Sequence, residues 1–274
     1  MKRRCSIFLS VALSALLFMG CTTAEPLKVV SFNVRLSAGD DGDNCWELRR
    51  EAAAQMLESL QPDLLGVQEA LPDQTKFLDS VLCRYGHIGV GRDNGSDEGE
   101  MMEVFYRLDR FEMLDSGTFW LSPTPDSCSF GWDAACRRTA TWVELKERTS
   151  GRRMLYVNTH LDHVGSKARL CSTQLIADFI EHKGAACAVL TGDMNVTPDN
   201  PALEPLRELM GDARHDAPST DCKMTYNAFG NTDYQQVIDY VFYLGLTPVS
   251  FRTVDDDRGV PYVSDHYPVE AVFE

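Results

Sequence analysis

Apolar positions along this chain follow two rhythms. Short runs rich in β-branched and aromatic residues, at Leu27–Phe32, Leu64–Val67, Met101–Tyr106, Thr141–Leu145, Leu155–Val157, Ala188–Leu190, Val237–Phe242 and Pro268–Phe273, predict strands. Between them the spacing lengthens. Leu48, Ala52, Met56 and Leu60 recur at every fourth position and stop before Pro62, which predicts a helix over 47–60. Thr75–Leu82 and Arg169–Lys183 behave alike, the latter with Leu175, Ile176, Phe179 and Ile180 on one face. No internal repeat, low-complexity linker or shift in composition interrupts the series. One compact domain of mixed α/β type is expected.

The composition, 44% hydrophobic and 24% charged over 274 residues, excludes disorder, collagen and coiled coil. The charge balance is more selective. The chain carries 26 basic and 41 acidic residues, a net −15. A protein that grips long nucleic acid needs a positive surface to release counterions, so a non-specific DNA or RNA binder is disfavoured. The basic residues Lys2, Arg3 and Arg4 precede an uncharged, largely apolar run from Ile7 to Met19, then Gly20-Cys21 and a polar turn. That order is similar to a bacterial lipoprotein signal, with a plain secretory signal as the other reading; both export the protein. The expected division is a signal over 1–20 with Cys21 lipidated, and a domain over 21–274. The expected location is the cell envelope (periplasm or outer membrane) through a lipid anchor only, or the medium.

Polar residues at the ends of the apolar runs carry the chemistry. They are Asn33, Glu69, Asn158 with His160, Asp193 with Asn195, Asp239, and Asp265 with His266. Such groups are costly to bury unpaired, and strand ends are where sites are built. Singly, each has a bland reading: Asn33 as a turn former, Asp193 and Asn195 as an Asx turn, Glu69 as a solvated residue. Asp265-His266 before Pro268 is the sharpest piece, placing a carboxylate beside a proton-handling imidazole. A donor set of Asp, Glu, Asn and His without cysteine suits Mg²⁺ or Mn²⁺. No CxxC spacing or HExxH motif points to zinc, and no GxSxG elbow to a serine hydrolase. With Cys5 in the leader and Cys21 lipidated, seven cysteines remain. Cys128 and Cys136 have the spacing to close a short loop, and most of the others read as small core residues.

Taken in order, SFNVR (31–35), PDLLGVQE (62–69), FYR (105–107), NTHLDH (158–163), GDMN (192–195), IDY (238–240) and SDHYPV (264–269) resemble the endonuclease/exonuclease/phosphatase family, the metal-dependent phosphoesterases related to DNase I. GRDNGSDEGE (91–100), DSGTFWLSPTPD (115–126), GWDAACRRTATW (131–142) and HLDHVGSKAR (160–169) resemble a bacterial exported subgroup of it. The resemblance implies a four-layer α/β sandwich, two mixed β-sheets face to face with helices outside. It implies Glu69 as the principal ligand of Mg²⁺ or Mn²⁺, with Asn33 and Asp265 near the ion. Asp193 would activate or orient the attacking water, and Asn195 would hold the phosphate or that water. His160 and His266 would contact phosphate oxygens, oriented by Glu100 and Asp239. Arg138 and Asn158 complete the substrate side, Arg138 on the phosphate and Asn158 as a brace. The implied activity is hydrolysis of a phosphodiester or phosphomonoester (a small molecule, sugar phosphate or lipid head group) by a monomer. A secreted nuclease and a non-catalytic binding protein on the same scaffold are the competing expectations. Asp162 and His163 mark the subgroup, Asp162 either shaping the pocket or capping the following turn. Trp46, Trp120 and Trp132 lie in or near predicted loops, where they would stack on a sugar or base, or else pack in the core.

Overall fold

The computed structural model describes residues 25–274. The expected leader and Cys21 lie outside the described residues. Among the described residues no helix is long and apolar enough to cross a membrane.

The chain runs β1 (Leu27–Asn33), α1 (Trp46–Leu60), β2 (Leu64–Ala70), α2 (Pro72–Val81), β3 (Tyr85–Ile88), β4 (Met101–Arg107), β5 (Phe111–Trp120), β6 (Thr139–Glu147), β7 (Arg153–His160), α3 (Ser166–Lys183), β8 (Ala188–Asp193), α4 (Glu204–Leu209), β9 (Gly211–Asp212), α5 (Ala213–Asp216), β10 (Asp239–Leu244), β11 (Pro248–Thr253) and β12 (Val269–Phe273). The strands form two sheets, in the orders β11-β12-β1-β2-β4-β3 and β5-β6-β7-β8-β10-β9. Each is built around a parallel pair joined by a helix. In the first sheet β1 and β2 are linked through α1, and in the second β7 and β8 through α3. The flanking strands are antiparallel. This is the expected sandwich of two mixed sheets with helices outside.

Alternation along each strand divides the side chains between two layers. Leu27, Val29, Leu64, Tyr156, Val189, Val241 and Phe273 fill the space between the sheets. Their neighbours Val30 and Leu65 pack outward beneath Met56 and Leu57 of α1. Leu155, Val157 and Leu190 pack outward beneath Ile176 and Ile180 of α3.

The inner face changes character from one end to the other. On β1 the inward positions read Leu27, Val29, Ser31, Asn33; on β7, Met154, Tyr156, Asn158, His160; on β8, Val189, Thr191, Asp193. Hydrocarbon gives way to hydroxyl and amide, then to carboxylate and imidazole. The middle zone is tightly closed. Asn158 donates to the carbonyls of Val67 (2.8 Å) and Glu103 (2.9 Å), and its Oδ1 accepts from Gln68 (2.7 Å) and Thr191 (3.0 Å). Gly66 faces it without a side chain because a Cβ there would lie 2.2 Å from the Thr191 hydroxyl. At the opposite, basal end the chain buries another charged set. Arg110 donates to Asp63 (2.6 Å) and to Glu147 (3.0 and 2.8 Å), and Arg107 donates to Asp63 (3.2 Å).

Candidate active site

The polar end of the sandwich receives the C-termini of β1, β2, β7 and β8 and the segments entering β4, β6, β10 and β12. The topology therefore gathers Asn33, Glu69, His160 and Asp193 with Glu100, Arg138, Asp239, Asp265 and His266. Register does part of the work: Asp193 stands opposite His160 on one side and Asp239 on the other. A cleft of about 350 Å³ opens there, lined by Glu69, Glu100, Arg138, His160, Asp193, Asn195, Asp265 and His266.

Asp193 is the centre. Its Oδ2 accepts from the Asn33 amide across the two sheets (3.1 Å) and lies 3.4 Å from His160 Nε2 and 3.6 Å from His266 Nε2. Its Oδ1 accepts from the backbone N–H of Asn195 (2.9 Å), which adopts a left-handed φ of 51° to make this turn. Glu69 also has a left-handed φ, 65°, at an irregularity in the β2–β4 pairing. Such a bulge re-aims one side chain out of the sheet, here toward the Asn33 amide at 3.0 Å.

The surroundings shift the two imidazoles in opposite directions. His266 Nδ1 bonds Asp239 Oδ2 at 2.9 Å. Burial disfavours its charge, but Asp239 and Asp193 outweigh that and raise its pKa well above the ordinary histidine value. His160 is lowered well below it by burial, with Arg138 and Arg92 adding to the effect. The Asn195 amide settles which His160 nitrogen carries the proton. That amide nitrogen donates to the Leu161 carbonyl (3.0 Å) and meets His160 Nε2 at 2.9 Å, so Nε2 accepts and the proton sits on Nδ1. Burial pushes Asp193 up to about 7, with His266 opposing and Asp239 reinforcing.

Some expectations are corrected. Asn158 does not face substrate: it is fully buried and all its hydrogen-bonding capacity is used between the sheets, which makes it a brace alone. Glu100 stands 3.9 Å from His160 Nδ1, beyond hydrogen-bond reach, because it accepts from Arg92 at 2.7 Å. Cys128 and Cys136 are both free, and of the seven described cysteines only Cys187 is buried. Of the two readings of the tryptophans, core packing holds for Trp46 and Trp120, which are buried, and none of Trp46, Trp120 and Trp132 is among the residues lining the cleft. Arg35, Arg92 and Tyr226 do line it, and sequence reasoning did not single them out. The two arginines lie inside quoted motifs, which was the available signal; Tyr226, packed on the His266 ring at 4.8 Å, gave none. Asp162 both caps its turn and shapes the cleft wall. Its carboxylate accepts from the backbone of Val164, Gly165, Ala135 and Cys136. Cys136, Asp162 and His163 come close enough to share an ion, but that carboxylate is saturated.

The match to known proteins is decisive about lineage. The family model described as the Endonuclease/Exonuclease/phosphatase family matches residues 30–266. The chain belongs to that family.

Among solved members, an endonuclease/exonuclease/phosphatase from Bacteroides vulgatus is 36% identical, with a TM-score of 0.87 over 91% of this chain and 98% of its own. A mannosyl-6-phosphatase from Bacteroides thetaiotaomicron is 32% identical, with a TM-score of 0.85 over 90% of this chain and 99% of its own. An uncharacterized protein of Acanthamoeba polyphaga mimivirus is 24% identical, covering 84% of this chain and 92% of that one. Membership supports phosphoric ester hydrolysis as the reaction class, with a divalent metal as the family's general cofactor. The donor set fits such an ion. Ligand atoms of Glu69, His160 and Asp193 lie within 4.8 Å of one another, and the acidic oxygens of Glu69 and Asp265 line the same cleft.

Proposed function

We propose that this endonuclease/exonuclease/phosphatase family member is an exported, Mg²⁺- or Mn²⁺-dependent phosphoesterase that hydrolyses a small phosphate ester, a sugar phosphate above all, by in-line attack of water. The observation that carries the reading is the meeting at Asp193 of two imidazoles, at 3.4 and 3.6 Å from its Oδ2, and two oriented amides. The mannosyl-6-phosphatase relative supports the substrate class, and the acidity of the chain argues against long nucleic acid. Export rests on the basic and apolar residues that open the sequence.

Glu69, with Asp265 beside it, would hold the ion; Asn33, expected near it, turns its amide nitrogen to Glu69 and its oxygen to the Arg35 backbone, and so orients the ligand instead. When bound, the ion neutralises charge on the non-bridging oxygens. The side chains divide the rest. Asp193, poised near neutrality, accepts the proton of the attacking water at Oδ2. The Asn195 amide has spent both N–H groups on Leu161 and His160, which leaves its Oδ1 to accept from that water. His266, kept cationic by Asp239, presents Nε2–H to the charge that develops on phosphorus oxygens.

Purified protein given Mg²⁺ or Mn²⁺ is expected to release phosphate from sugar phosphates, to lose that activity in EDTA and to regain it on adding either metal. Failure to cleave any member of a broad phosphate-ester panel with either metal overturns the reading.

A further inference from the structure

Arg138 is a buried arginine with unfinished bonding. It is 5% exposed, yet its Nε and Nη1 have no hydrogen-bond partner. Its nearest carboxylates are too distant for hydrogen bonds, Asp162 at 3.6 Å and Glu100 at 3.9 Å. Buried N–H groups are costly to leave unmade, and Arg138 is one of the residues lining the cleft, so its two unpaired nitrogens mark a place where a ligand would supply the acceptors. The third nitrogen, Nη2, bonds His163 Nδ1 at 3.1 Å. A guanidinium only donates, so Nδ1 must accept, and the ring's proton sits on Nε2. His163 is exposed, lines the same cleft as Asp193 and His266, and there offers a second donor.

The wall that carries this pair is fixed from two sides. Asp162 ties Ala135 and Cys136 to the turn at Val164 and Gly165. Asp133 accepts from the backbone of Lys167 (3.2 Å) and Ala168 (2.6 Å), capping α3 from a distant loop because Gly165 has no side chain to do so. Arg138 and His163 therefore project from one stapled unit.

We propose that His163, held by Arg138, forms a subsite for the terminal oxygens of a phosphate monoester and is a specificity-determining residue for monoesters over diesters. The inference rests on the phosphoesterase reading above. A monoester presents three non-bridging oxygens and as many as two charges, whereas a diester presents two oxygens and one charge. Donors beyond those at the reacting centre therefore find their acceptor in the monoester.

The test compares p-nitrophenyl phosphate with bis-p-nitrophenyl phosphate on the Mg²⁺-loaded protein. The wild type should prefer the monoester, and His163→Ala should lower the monoester-to-diester ratio of kcat/KM about tenfold, the scale of one hydrogen bond to a charged group. His163→Gln should restore most of the ratio, because its amide accepts from Arg138 and donates onward. Calorimetric binding of inorganic phosphate should weaken about tenfold in His163→Ala and recover in His163→Gln. A wild-type preference for the diester, or an unchanged ratio in His163→Ala, overturns the subsite while leaving the phosphoesterase reading intact. Where the wild type is inert on both esters, phosphate affinity weakened by His163→Ala supports the subsite and unchanged affinity overturns it.

Discussion

Arg110 and Arg138 are both buried, at opposite ends of the same sandwich, and they are treated oppositely. Arg110 uses every N–H it has: Nε and Nη2 on Glu147, Nη1 on Asp63, and one each on the carbonyls of Pro26 and Glu25. Arg138 makes a hydrogen bond through Nη2 and leaves Nε and Nη1 without a partner. The basal end also balances its charge, with Asp63 and Glu147 against Arg107 and Arg110. The cleft end crowds Glu69, Asp193, Asp239 and Asp265 together. One end closes all the bonds of its buried arginine to hold the sheets in place; the other leaves two of Arg138's nitrogens open, which is the condition for binding something else.

The sharpest way to break this contrast is His266→Ala. It should lower kcat/KM on a phosphate ester about a thousandfold per folded molecule, as read by steady-state kinetics. A loss smaller than tenfold would remove the cleft from the chemistry. Next is Arg110→Met. Stranding Asp63 and Glu147 should cost about 3–5 kcal/mol in urea unfolding, with activity per folded molecule kept within about twofold. An activity loss beyond that would join the two ends functionally and void the comparison.

The smallest effect is in acid. Burial pushes the Glu147 carboxyl up, but bonds from Ser150 and Arg110 outweigh it and hold its pKa below the ordinary 4.5. The stability it contributes is complete above that pH and is lost as pH falls through the lowered folded value. Urea midpoints should therefore decline below pH 4.5, and the decline should be shallower in Glu147→Gln.

How much of this was legible in sequence depended on burial. The strands read from apolar runs, such as Leu64–Val67 and Ala188–Leu190, lie inside the sheets, covered on both faces. Those not read, β3, β5, β9 and β11, are the four sheet edges. In β5 the residues Glu112 to Asp115 face solvent, so no apolar run forms. The site was legible for the same reason, since an Asn33 or Asp193 closing an apolar strand stands out. Asn158 was legible as a brace but was also set on the substrate side, because in sequence an amide looks alike whether it waits for substrate or joins two sheets. It passed over Arg92 because a loop arginine resembles any solvated one until packing shows what surrounds it.

The first sheet is not continuous in the chain. Residues 27–107 supply most of it, the whole second sheet intervenes, and β11 and β12 return to finish it. Asp265 and His266 arrive only on that return. The site therefore stays incomplete until β11 and β12 have docked beside β1. The site is completed by the strand pair that returns, and a chain cut before β11 would keep most of its scaffold without Asp265 and His266.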